Sequence, residues 1–144
     1  DEFLDFNGAF YGLTGKNLEK RKSIVLEKVG LSYARGKRLH TYSKGMLQRI
    51  GLAQAILHDP EFIFLDEPMS GLDPVGRKMV KDLMLELKSQ GKTLFFNTHI
   101  LSDVEAICDR FAIIAKGHIV ADMKVSHLEK PIEDFFMECI MRVQ

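Results

Sequence analysis

The sequence predicts an α/β fold in which a helical region, residues 1–58, precedes part of a sheet-bearing core, residues 59–144. Three observations predict it. The first 57 residues carry apolar positions at helical spacing and no convincing strand. From Glu61 onward, short apolar runs alternate with amphipathic helical patterns, the signature of a mostly parallel sheet covered by helices. The third is FIFLDE, residues 62–67, where four apolar residues run straight into two adjacent carboxylates.

Taken in order, Phe3, Phe6, Phe10 and Tyr11 fall near one face of a first helix that breaks at Gly12 to Gly15, and these aromatics are expected to form the core of the helical region. Leu18, Val25 and Val29 mark a second helix, stopped by Gly30, and a looser segment with Gly36 follows. Ser43 reads as the N-cap of a third helix that turns Ile50, Ala53, Ile56 and Leu57 inward and ends at His58, Asp59 and Pro60. Phe62 to Leu65 is apolar enough to predict a buried strand. Asp73 and Pro74 form a cap and first-turn pair for a helix with Val75, Met79, Leu83 and Leu87 at four-residue spacing, closed by Gly91. Thr93 to Asn97 is the next strand. Ser102 and Glu105 have the spacing of a capping box for a short helix through Cys108. Phe111 to Ala115 and Ile119 to Met123 predict a hairpin turning through Lys116 and Gly117. A last helix from near Pro131 is expected to bury Ile132, Phe135, Phe136, Cys139 and Ile140.

At 144 residues and 46% hydrophobic, the chain has material for one compact domain or two closely packed subdomains. Its formal net charge of zero removes any whole-chain electrostatic case for nucleic acid or an anionic membrane. Lys16, Lys20, Arg21, Lys22, Lys28, Arg35, Lys37 and Arg38 nevertheless crowd the first third, where they read as a solvated helical face. Cys108 and Cys139 have no metal-ligand spacing and are expected to be reduced core thiols of a cytosolic protein. No apolar run approaches the roughly 18 residues needed to cross a bilayer, and the acidic N-terminus lacks the features of a signal peptide. Beginning at Asp1 without methionine suggests a fragment, a processed product or an edited chain.

Chemistry concentrates at Asp66 and Glu67. Two such charges about 4 Å apart near a protein surface repel by about 4 kcal/mol, so something must separate or neutralise them, and a bound metal would do both. A strand that ends on acid, turns at once and opens a helix is the metal-holding half of a nucleotide site. Asp66 could then face the magnesium ion on a nucleotide, and Glu67 a water placed for in-line attack on the terminal phosphate. Upstream, YSKGMLQR at residues 42–49 sets a hydroxyl and a glycine where a helix begins, and Ser43 could cap the helix and bind phosphate at once. Downstream come the tight turn SGLD, residues 70–73, and NTH, residues 97–99, with His99 just past a strand.

In this order the elements resemble the ATP-binding subunits of ABC transporters, a P-loop NTPase-type fold. YSKGM resembles their signature motif, FIFLDE Walker B, Ser70, Gly71, Leu72 and Asp73 the D-loop, and His99 the switch histidine. Lys44 and Met46 depart from the family's LSGGQ, while Ser43 and Gly45, the pair whose counterparts contact phosphate, are retained. The YSKGM form, with HILSDVEAICDR after the switch, looks most like exporters whose membrane subunits are separate chains.

The resemblance implies a helical subdomain followed by the C-terminal part of the catalytic core. It implies ATP and Mg2+ as cofactors, with Asp66 at the metal, Glu67 and His99 as catalytic residues, and Ser43 and Gly45 at the nucleotide of a partner domain. The partners implied are a transmembrane permease subunit and a second nucleotide-binding domain, in a homodimer or heterodimer at the inner face of the cell membrane. Docking to that permease is the alternative role for Phe3, Phe6, Phe10 and Tyr11. No G-x-x-x-x-G-K-[ST] loop occurs in the sequence; in the family it precedes the helical subdomain, so the chain alone is expected to be inactive. A second reading, a soluble ABC-type ATPase acting on ribosomes or DNA, would use the basic first third. The sequence lacks the sustained heptads of the DNA-repair relatives and the double glycine usual in the translation relatives, and no nucleic-acid partner is expected.

Overall fold

The computed structural model describes residues 1–142. Its contacts divide the chain into two compact units, Asp1–Asn97 and Thr98–Gln144, so the change of sequence pattern near residue 59 falls inside the first unit.

In the first unit, α1 (Glu2–Phe10), α2 (Gly15–Lys28) and α3 (Lys44–Ile56) precede β1 (Phe62–Leu65), α4 (Pro74–Ser89) and β2 (Thr93–Phe96). The core of α2 and α3 is built from Leu18, Val25, Leu26, Ile50, Leu52, Ala53 and Ile56. Each of these two helices also closes the other's C-terminus. Arg21 donates through Nε and Nη2 to the carbonyls of Leu57 and Ile56, both at 2.8 Å. Arg49 Nη1 donates to Val29 O at 3.2 Å and Gly30 O at 3.4 Å. Guanidinium groups at helix C-termini satisfy carbonyls that have no partner within the helix and match the dipole.

Of the basic residues of the first third, Arg21, Lys22, Lys28 and Arg35 are held in structural contacts, while Lys16, Lys20, Lys37 and Arg38 are exposed, as a solvated face would have them. Lys22 is only 2% exposed and pairs with Asp5 and Glu19. Burial pulls its ammonium pKa down, but the hydrogen bonds to Asp5 and Glu19 outweigh it and hold the group above the usual lysine range. Arg35 reaches Asp1 and Glu19, and Lys28 reaches Glu86.

The aromatics of α1 do not form the core. Leu4 and Gly8 face inward, while Phe6, Phe10 and Tyr11 are 66%, 73% and 55% exposed. Gly8 sets this face. A Cβ there would fall 2.5 Å from Leu18 Cδ1, so α1 meets α2 along the one stripe that leaves room for Leu18. Phe6 and Phe10 pack edge to face on the outside, and Tyr11 stacks on His58 at 3.6 Å.

The strands β1 and β2 pair in parallel, Phe62 opposite Thr93 through Leu65 opposite Phe96, with α4 as the crossover. β1 is half-buried rather than buried: Ile63 is covered, whereas Phe62 and Phe64, like Phe95 on β2, face solvent. α3 lies against β1 and α4 against β2, and their cover extends to the Ile63 side of the pair. Along α4 the inward residues are Val80, Leu83, Met84 and Leu87, while Val75 is exposed. Asp73 caps this helix, its Oδ1 accepting from Gly76 N at 2.7 Å. Asp73→Ala is expected to cost about 1 kcal/mol, to be read as a lower midpoint in denaturant unfolding at unchanged slope.

The second unit holds α5 (Leu101–Ile107), β3 (Arg110–Ala115), β4 (His118–Lys124) and α6 (Ile132–Met141). β3 and β4 form the expected antiparallel hairpin, turning through Lys116 and Gly117, both at positive φ. That is the twist a two-residue hairpin turn requires. Ser102 and Glu105 do not make a capping box. The helix starts at Leu101 with no side-chain cap. Just before it, the Thr98 hydroxyl accepts from Ile100 N at 3.1 Å. Glu105 instead accepts from Ile132 N at 3.1 Å, so its carboxylate caps the start of α6. On α6, Ile132 and Cys139 are buried and Phe135, Phe136 and Ile140 are half-buried. Both cysteines are free thiols. Among the described residues no helix is long and apolar enough to cross a membrane.

Candidate functional site

The acidic pair sits where β1 runs out. Asp66 is exposed and Glu67 half-buried. At Glu67 the backbone turns left-handed, φ +42°, a conformation that costs a residue with a side chain of order 1–3 kcal/mol and persists only where its surroundings impose it. Here three hydrogen bonds do so. Glu67 N donates to Asn97 Oδ1 at 2.7 Å. The Glu67 carbonyl accepts from Gln48 Nε2 at 3.1 Å and from Ser70 N at 2.9 Å.

The other end of the Asn97 amide serves Asp66, its Nδ2 donating to Asp66 Oδ1 at 2.8 Å. Its two partners fix the amide's orientation, because a backbone N–H needs an acceptor and a carboxylate a donor. The left-handed turn takes Glu67 off the alternation of the strand, and the amide donates to Asp66.

The phosphate-binding candidates lie on the same unit. Ser43 is exposed and caps α3, its Oγ accepting from Met46 N at 3.2 Å. A Cβ on Gly45 would touch Leu72 Cδ2 at 3.4 Å, and one on Gly71, which has φ +70°, would fall 2.8 Å from Lys44 Cε. The YSKGM turn and the SGLD turn therefore form one surface, with the Lys44 side chain lying over Gly71. Tyr42 anchors the entry to this turn by donating to Ala34 O at 3.1 Å, and burial pushes its phenol pKa up.

Ser43, Gly45, Asp66, Glu67 and residues 70–73 thus share the first unit, with Gln48 linking α3 to the Glu67 carbonyl. His99 is exposed and belongs to the second unit, three residues past the end of β2. No group of three or more His, Cys, Asp or Glu side chains among the described residues could hold a metal ion. A cavity of about 250 Å³ in the same unit is lined by Arg21, Val25, Ile63 and Leu87 among others, and none of the candidate residues borders it.

Two contributors were missed in the sequence, Asn97 and Gln48. Asn97 was legible in principle: once β1 and β2 pair in parallel with Leu65 opposite Phe96, the next residues along, Asp66 and Asn97, lie side by side. Gln48 carries no comparable signal.

Comparison with known proteins gives four findings. The family model for the ABC transporter matches residues 5–70. An uncharacterized ABC transporter ATP-binding protein of Synechocystis sp. is 54% identical over 121 residues, covering 83% of this chain and 34% of that protein. The bacitracin transport ATP-binding protein BcrA of Enterococcus faecalis is 39% identical over 120 residues, again 83% of this chain and 38% of that protein. Among solved structures, an ATP-binding subunit of an ABC transporter superposes with a TM-score of 0.84 at 28% identity, covering 96% of this chain and 60% of that one. The chain spans little more than a third of the length of the curated relatives it matches.

Proposed function

The chain belongs to the ABC transporter family and carries part of its ATP-binding domain, and from that premise we propose that the protein hydrolyses ATP to drive transport through a separate membrane subunit. The observation that supports this most directly is the acidic strand end braced by Asn97, on the same unit as the joined YSKGM and SGLD turns. ATP and Mg2+ are the cofactors. When bound, the ion neutralises phosphate charge. Asp66 contributes one ligand to it, held in orientation by the Asn97 amide. Glu67 polarises the attacking water and takes up its proton, and His99 makes a polar contact to the terminal phosphate.

Ser43 and Gly45, at the N-terminal end of α3, receive the nucleotide of a second ATP-binding domain, identical or different, arranged head to tail. The dimer sits at the cytoplasmic face of the membrane against the permease, and Phe6, Phe10 and Tyr11 offer it an exposed aromatic surface. Similarity to a fluoroquinolones export ATP-binding protein of Mycobacterium tuberculosis, 43% identical over 97 residues, supports an export role. The ribosome or DNA reading gains little from the basic first third, since Arg21, Lys22, Lys28 and Arg35 are committed to carbonyls and carboxylates within the unit.

One experiment tests the reading. The full-length protein should show magnesium-dependent ATP hydrolysis, while the 144-residue chain alone, without the Walker A loop that would anchor the phosphates, should show none above background. Hydrolysis by the pure 144-residue chain, abolished by Glu67→Gln, would overturn this assignment of the phosphate site.

A further inference from the structure

The hydrogen bonds around Glu67 grip its peptide groups on both sides. Asn97 Oδ1 takes the N–H at 2.7 Å, Gln48 Nε2 and Ser70 N hold the carbonyl, and between them φ stands at +42°. For a residue with a side chain this left-handed well is disfavoured against extended or right-handed backbone, so releasing the grip lets φ relax. Rotation about φ swings the whole Glu67 side chain relative to the strand end. Misplacing a reacting group by about 1 Å can cost about a hundredfold in rate.

We propose that Asn97 is a positioning residue for ATP hydrolysis: its amide oxygen holds Glu67 in the left-handed conformation that aims the carboxylate, while its amide nitrogen orients Asp66. Gln48 on α3 fixes the far side of the same peptide, which ties the helix behind the YSKGM turn to the position of Glu67. This inference rests on the reading of Glu67 as the group that polarises water. Its particular content is a division of labour within one amide, in which the oxygen governs the chemical step and the nitrogen governs the metal-bound nucleotide.

Two substitutions in the full-length protein separate these roles. Asn97→Ala removes both bonds and should lower kcat at saturating magnesium-ATP by about 10- to 10²-fold. In a Glu67→Gln background the same change should lower the remaining single-turnover rate by less than about twofold, because two residues acting as a unit are not additive. Asn97→Asp keeps an oxygen toward Glu67 N and sets a carboxylate against Asp66. It should raise KM for magnesium-ATP about tenfold with kcat within about threefold of the parent. A residue that merely supported the fold would give neither the split nor the loss of additivity.

Full turnover in Glu67→Gln alone would overturn the role of Glu67 itself, before Asn97 is touched. A slowed Glu67→Gln together with an Asn97→Ala that keeps its rate, or that loses as much again on top of Glu67→Gln, would overturn only the positioning role. If the alanine variant fails to fold, Asn97→Asp decides: a fall in kcat without a rise in KM contradicts the inference.

Discussion

Replacing Glu67 by glutamine in the full-length protein should leave ATP binding intact and lower turnover by about 10²- to 10⁴-fold, the range for lost general-base assistance. The substitution keeps the side chain's shape and leaves the backbone contacts to Asn97 and Gln48 unchanged, because those involve the Glu67 N–H and carbonyl. What changes is the capacity to accept a proton. Asp66→Asn should behave differently, weakening magnesium-dependent nucleotide binding while leaving binding of the metal-free nucleotide much less affected. Steady-state hydrolysis and equilibrium binding with and without magnesium separate the two carboxylates. Undiminished turnover in Glu67→Gln would remove Glu67 from its assigned role.

The second large effect belongs to Ser43. Its side chain is exposed at the start of α3 and faces a second ATP-binding domain in the proposed arrangement. Ser43→Arg should abolish ATP-driven dimerisation of the full-length protein yet leave ATP binding by the monomer nearly unchanged. Sedimentation with ATP under conditions that block hydrolysis reads the first, and equilibrium binding reads the second. The change also removes a helix cap worth about 1 kcal/mol, so thermal unfolding should show a modest decrease and no loss of fold. A variant that pairs normally with ATP contradicts the placement of Ser43 at the partner's phosphate.

Much of the fold was legible because its signals are local. Ser43 and Asp73 cap the helices they were expected to cap, and Lys116 and Gly117 turn the hairpin, since each signal depends only on a few neighbouring residues. Where burial departs from the sequence pattern, the deciding contact is remote in sequence. Phe6 and Phe10 look like core until Gly8 is seen to admit Leu18. Phe62 and Phe64 are exposed in these 144 residues, which span little more than a third of the curated relatives' length, while α3 and α4 pack against the strands and Ile63 is buried. Glu105 has the spacing to cap its own helix, but it caps the next one, 27 residues away. At the site, the residue types and their order were readable as chemistry, whereas the left-handed turn at Glu67 and its grip by Asn97 and Gln48 arise only when β1, β2 and α3 come together.

The two strand pairs also impose a timetable on folding. In the hairpin, Ala115 meets His118 across a two-residue turn, a closure that proceeds in roughly 1–10 μs. Phe62 cannot meet Thr93 until all of α4 has been made and has folded back, and parallel pairings of that kind close a longer loop before any contact rewards it. During synthesis Asp66 and Glu67 leave the ribosome about 30 residues ahead of Asn97, roughly 2–6 s at ordinary elongation rates. For that interval the acids are present without their brace, so the hydrogen-bonded arrangement of Asp66 and Glu67 is acquired late, at the moment β2 docks.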